Sequence, residues 1–361
     1  MTDEDMPRDT RTLMRREIDE IPAAVARLVR GEAAHLDDVA AAVRHARPRL
    51  AVVAARGTSD HAAVYARYLL ESELRLPTAM AAASLTTIYH RSSDWSGVLL
   101  LSLSQSGASP DILAVTEAAR AGGATTVAIT NDSGSPLAMM AEHAIACEAG
   151  PERAVAATKT YVAELAAVAA LVARLSPESV LADGLKVLPE VLVDVLSAAD
   201  GWLASAEPLV EAAVSADRML VVSRGFNLPT ALEVALKFKE TTGIFAEGYS
   251  SADLMHGPVA LAQPRVPLLA FRPDGPMGEA IDGVIDRVTA AGSRVWLVGG
   301  RELAKRGAGI HAALALPIDL PETLTPLAFV VPGFVLVECV ARRRGMNPDA
   351  PIGLTKVTLT M

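Results

Sequence analysis

The chain has 361 residues, enough for two domains or for one domain built twice, and its apolar fraction of 51% is ample for buried cores. A net charge of −9 excludes the basic stripe that a nucleic-acid footprint needs, although local donors can still hold a small phosphorylated molecule. Cys147 and Cys339 lack metal or redox spacing and read as buried thiols, and the acidic residues 1–5 lack the apolar core of a signal peptide, so the expectation is a cytoplasmic protein without a membrane segment.

In chain order, residues 1–44 read as a helical lead-in, with Met14, Ile18 and Ile21 on one face and Pro22 restarting the helix. Residues 45–175 alternate strands with helices. An apolar strand ends at Arg56-Gly57-Thr58-Ser59. A second one, Val98–Leu103, empties into Ser104-Gln105-Ser106-Gly107-Ala108-Ser109 and then Pro110-Asp111. Gly107 permits a sharp turn, Ser109 is a good N-cap and Pro110 suits the first helical position. A helix N-terminus ringed by hydroxyls makes a cup for an anion. The plain alternative is a strand–turn–helix with a Ser-rich cap, and the local pattern leaves both open. The Ala-rich stretch after Tyr161 carries Glu164 and Arg174 and is too short to cross a bilayer.

Residues 176–216 read as a helical connector, and residues 217–345 as a second copy of the first unit. A shift of 168 carries Val53-Ala54-Ala55-Arg56-Gly57 onto Val221-Val222-Ser223-Arg224-Gly225. The same shift carries Gly107 onto Gly275, and Thr126-Val127-Ala128-Ile129 onto Arg294-Val295-Trp296-Leu297. Strands alternating with helices predict α/β architecture: two tandem doubly wound domains, each a parallel sheet flanked by helices. Ser104, Ser106 and Ser109 fall opposite Arg272, Asp274 and Met277, so the hydroxyl cup is expected once, in the first half.

The second copy contains Glu233, Lys237 and Glu240 at helical spacings of four and three. They read either as ion pairs on a surface helix or as a carboxylate base in a cleft. His256 precedes the rigid Gly257-Pro258 turn and is a candidate acid/base group, while His61 reads as a packing or capping residue. The tail, residues 346–361, has enough Pro and apolar residues to dock and brings Lys356 with it. No His, Cys or carboxylate cluster has metal-ligand spacing, so neither metal nor cofactor is expected.

These motifs, with Ala156-Ala157-Thr158-Lys159 and Ala231-Leu232-Glu233, resemble the sugar isomerase (SIS) superfamily over residues 45–361. The resemblance is to the two-domain isomerase half of glucosamine-6-phosphate synthase, and more closely to the stand-alone SIS-type glucosamine-6-phosphate deaminases. It implies that Thr58, Ser59, Ser104, Gln105, Ser106, Ser109 and Ala157 bind the sugar phosphate, with Glu233 and Lys237 supporting the site. It also implies that Glu240 moves a proton between C1 and C2 and that Lys356 contacts the open-chain sugar. His256 would open the ring from the neighbouring subunit of a homodimer. The synthases' glutaminase domain and its N-terminal cysteine are not expected here. Three departures set the chain apart from the synthases: Ala108 for an acidic residue, Phe245 for a histidine and Ala157 for a serine. The expected reaction is glucosamine 6-phosphate to fructose 6-phosphate plus ammonia. The alternatives are a related isomerase or aminotransferase acting on galactosamine 6-phosphate or fructosamine 6-phosphate, or a non-enzymatic sugar-phosphate sensor.

Overall fold

The computed structural model describes residues 11–91, 93–305 and 311–356. The first ten residues of the lead-in and residues 357–361 of the tail therefore lie outside the described residues. Three helices come first: α1 (Leu13–Asp19), α2 (Ile21–Gly31) and α3 (Ala33–Ala46). Met14, Ile18 and Ile21 are fully buried, and Pro22 sits in the first turn of α2, where its missing N–H costs nothing.

The first sheet contains β1 (Leu50–Ala54), β2 (Thr78–Met80), β3 (Val98–Leu103), β4 (Thr125–Thr130) and β5 (His143–Ala146). Helices α4 (Thr58–Leu74), α5 (Ala83–Thr87), α6 (Pro110–Ala121) and α7 (Pro136–Met140) connect them, and α8 (Lys159–Leu175) follows. All pairings are parallel, in the order β2-β1-β3-β4-β5. Every residue of β3 is buried, which is why its sequence is apolar apart from Ser102, whose hydroxyl bonds Thr116, rather than an alternation. In this order the chain reverses direction across the sheet between β1 and β3. The crevice outside their carboxyl ends is where open α/β sheets bind ligands.

After α9 (Leu181–Ser205) and α10 (Glu207–Val214) comes the second sheet: β6 (Arg218–Ser223), β7 (Phe245–Ser250), β8 (Leu268–Arg272), β9 (Val295–Gly299) and β10 (Ala312–Ala315). Its helices are α11 (Leu228–Thr242), α12 (Ser251–Met255) and α13 (Pro276–Ala290), and α14 (Thr325–Arg343) closes the fold. The strand order β7-β6-β8-β9-β10 repeats the first sheet's topology. The register repeats too, since Val53 pairs with Leu101 and Val221 with Leu269, each 168 residues apart. One strand further on the repeat slips. Leu101 faces Val127 but Leu269 faces Trp296, so Val127 corresponds to Trp296 and not to Val295 as the constant shift expects.

The two units share one core. A single apolar cluster runs from Met14 through α8 and α9 to Val340. Helix α9 packs on α2, α8 and α14, so the connector is a structural wall of the molecule. The segment Glu322–Arg343 is apolar and long enough to cross a membrane, but 94% of its apolar window is buried inside the molecule, where it is the central core helix. Gly333 lets α14 approach α11, because a Cβ there would lie 2.5 Å from Val234.

Candidate functional site

The first crevice is built by two turns. Gly57 ends the β1 turn at φ +59 and hands over to Thr58, the first residue of α4. Gly107 turns the chain after β3 at φ +58, and a Cβ on it would lie 2.1 Å from Ser135 Oγ. Ser109 occupies the N-cap position of α6, but its side chain makes no capping bond. The hydroxyl and the first N–H groups of α6 are thus left for a ligand. Arg56 joins the two turns by donating from Nε (3.0 Å) and Nη2 (2.8 Å) to Asp111 Oδ2. Gly107→Ala is expected to cost about 1–3 kcal/mol through backbone strain and the Ser135 clash. It should also weaken anion binding, and urea melts with phosphate titration check both effects.

A cavity of about 360 Å³ opens above these turns. Thr58, Ser59, Ser104, Gln105, Ser106 and Ser109 line its first side, with Arg56 at the rim. Lys237 and Glu240 from α11 close a second side. Val155, Ala157 and the tail residues Leu354, Thr355 and Lys356 close a third. The tail is docked: Val155 N donates to Asp349 O (3.0 Å), while the Asp349 carboxylate accepts from the first N–H groups of α1, Leu13 and Met14, both at 2.8 Å. Lys356 Nζ donates to Ala154 O (2.7 Å) and lies 3.3 Å from Glu152 Oε2.

Helix α11 is no surface helix. Glu233 and Lys237 are buried, while Glu240 is partly exposed toward the cavity. Lys237 Nζ reaches Glu240 Oε2 at 2.5 Å, Thr58 Oγ1 at 3.0 Å and Glu233 Oε1 at 3.3 Å. Glu233 lies behind the cavity wall and does not line it. It is held by Lys237, by Thr58 Oγ1 (3.2 Å) and by His61 Nδ1 (2.7 Å). Burial pushes the Glu233 carboxyl up, but the Lys237 charge and the His61 hydrogen bond outweigh it and hold it below its ordinary range. Burial pulls Lys237 down, yet Glu233 and Glu240 together raise it. Thr58, His61, Glu233 and Lys237 thereby clamp the first unit to the second at the site.

His256 is exposed beyond the end of α12 and does not line this cavity within its own chain. Sequence reasoning gave His61 only a packing or capping role, although it follows the Thr58-Ser59 turn by only two residues. It passed over two acids that carry no local motif. Glu152 is buried in the segment before α8 and folds back on that helix's N-terminus, where it accepts from Thr158 N (2.9 Å) and Thr160 N (3.2 Å) besides meeting Lys356. Glu164 lies behind Ser59, with Ser59 Oγ 2.8 Å from its Oε1. In the second unit the equivalent turn leaves only a smaller cavity of about 130 Å³, beside Pro273 and Asp274. Met277 packs against Gly225, and Arg272 is locked to Asp282 by two bonds of 2.9 Å.

Two tandem parallel-sheet units, the first with an open hydroxyl-lined crevice and the second with a smaller one, define a doubled α/β protein. The chain belongs to the SIS domain family, whose sequence profile matches residues 45–174 and 214–298. It is 37% identical over 301 residues to a glutamine–fructose-6-phosphate aminotransferase (isomerizing) of Methanothermobacter thermautotrophicus, a match covering 83% of this chain and 50% of that protein. The chain thus spans about half the length of that relative. A Silicibacter pomeroyi DSS-3 structure, provisionally named a phosphosugar isomerase, is 36% identical with a TM-score of 0.81, covering 94% of this chain and all of the other. The C-terminal domain of glucosamine-fructose-6-phosphate aminotransferase from Francisella tularensis shares the fold at a TM-score of 0.83 and 24% identity, covering 97% of this chain and all of that one.

Proposed function

We propose that the protein is a phosphosugar aldose–ketose isomerase acting on an amino sugar, converting glucosamine 6-phosphate and water to fructose 6-phosphate and ammonia. The observation that carries the reading is the single cavity in which an anion cup, the Glu240 carboxylate and the Lys356 ammonium meet. The phosphate rests on the hydroxyls and N–H groups of the α4 and α6 turns, with Arg56 at the rim. Glu240 removes the proton from C2 of the open-chain sugar while O1 takes a proton from the substrate's ammonium group, giving an enolamine, and Glu240 then returns its proton to C1. The product is an imine at C2, which water hydrolyses to the ketone with loss of ammonia. Lys237 holds Glu240 in place, and Lys356 offers its charge to the sugar oxygens as electron density moves onto them. We place His256 in the site of a second copy in a homodimer, since it is exposed on its own chain.

The same steps run backward, and the 37% identity to an isomerizing aminotransferase supports the aminating direction as a second reading. The test is ammonia release from glucosamine 6-phosphate, galactosamine 6-phosphate and fructosamine 6-phosphate, with fructose 6-phosphate plus ammonium run in parallel. Release from the first compound is the expected result. Amination alone moves the assignment to the second reading. Tight binding of fructose 6-phosphate with no turnover in any arm overturns both in favour of a sensor.

A further inference from the structure

Glu164, on the second turn of α8, is fully enclosed, and its Oε2 has no hydrogen-bond partner among the described residues. Its Oε1 lies 2.8 Å from the hydroxyl of Ser59, which lines the anion cup. The charges acting on it are both acidic, Glu152 from the segment before α8 and Glu233 from α11. Tyr161 on α8 and Cys147 after β5, which also feel its charge, are themselves buried and held neutral. Burial, with Glu152 and Glu233 adding to it and the Ser59 hydrogen bond to the ionised form opposing it, pushes the Glu164 carboxyl up to about 8, so it carries a proton at neutral pH.

That proton has two possible seats. On Oε2 it is a buried donor with nothing to receive it, an arrangement that costs about 1–3 kcal/mol. On Oε1 it meets Ser59 Oγ and leaves Oε2 as a bare acceptor, which folded proteins tolerate better than a bare donor. We propose that protonated Glu164 is a positioning residue: it donates to Ser59 Oγ and so aims the Ser59 hydrogen into the cup as a donor to the bound phosphate. Ionised Glu164 reverses the bond, takes the Ser59 hydrogen for itself and presents the phosphate with lone pairs instead. The inference rests on the phosphosugar reading of the cavity.

The experiment is calorimetric titration of fructose 6-phosphate into wild type, Glu164→Gln and Glu164→Leu between pH 7 and 9.5, with inorganic phosphate as a second probe. The amide introduced by Glu164→Gln donates to Ser59 and has no proton to lose. Wild-type Kd is expected to rise by at least about tenfold through pH 8, the lower end of the worth of one hydrogen bond to a charged group. Glu164→Gln should match wild type at pH 7 and lack that step. Glu164→Leu should bind more weakly throughout and also lack it. Every other titrating group is common to all three proteins and cancels in the comparison. Parallel curves for wild type and Glu164→Gln overturn the role of Glu164 while leaving the phosphosugar reading intact. Binding of neither probe by any of the three overturns both.

Discussion

Glu240→Gln is expected to lower kcat for the phosphosugar by a factor of about 10²–10⁴, the usual worth of a positioned general base. KM should change little. The substitution keeps the shape of the side chain, and its amide oxygen can still accept from Lys237 Nζ, which now reaches Glu240 Oε2 at 2.5 Å. Lys237 also keeps Glu233 and Thr58, so the wall of the cavity stands. The anion cup lies on α4 and α6, elements that Glu240 does not hold. A carboxylate that acts only in moving the proton is an interaction spent on the transition state, and its loss appears in kcat and kcat/KM alike. Steady-state kinetics on glucosamine 6-phosphate, with a fructose 6-phosphate titration to confirm binding, separates this from collapse of the site. Unchanged kcat, or loss of sugar binding together with turnover, would remove Glu240 from the role of base.

The serine-rich turn between β3 and α6 is legible from sequence because its signals are local. A buried strand, a glycine that must turn, free hydroxyls and Pro110 at a helix start lie within a dozen residues, and the structure keeps that order. The repeat is legible for the same reason, up to the point where β9 slips by one residue against β8. A slip in strand register leaves no local trace when both candidate residues, Val295 and Trp296, are apolar and both end up buried. The setting of α11 is not legible. Glu233, Lys237 and Glu240 have the spacing of a surface ion-pair ladder, and only the packing of α4 and α14 over the helix makes two of them interior. Glu152, Glu164 and His61 matter through partners 204, 105 and 172 residues away, and no window of sequence contains both ends of those contacts.

Lys237→Met tests that interior clamp. The thioether fills much of the space of the lysine stem but removes the charge, leaving Glu233 enclosed with only His61 and Thr58 as polar partners. Removing one member of a buried ion pair costs about 3–5 kcal/mol, because the other charge remains without compensation. The pH dependence gives the cause. In the wild type Glu233 sits below its ordinary range, so its contribution is present above the unfolded carboxyl value and is lost as pH falls through the folded one. Lys237 sits above its ordinary value, so its contribution is present below the unfolded lysine value and is lost only as pH rises through the folded one. The pair therefore supports the fold across the neutral range. In Lys237→Met, burial, the largest influence on Glu233, is no longer opposed by the lysine charge and outweighs the remaining His61 bond, so the carboxyl is raised and the variant loses stability as pH climbs from the unfolded carboxyl value. Protonation of Glu233 at lower pH relieves the uncompensated charge. Urea unfolding should show the largest deficit near pH 7.5 and a deficit at least halved by pH 5. A deficit that is constant with pH would assign the loss to packing and leave the Glu233–Lys237 pair without the role that its geometry indicates.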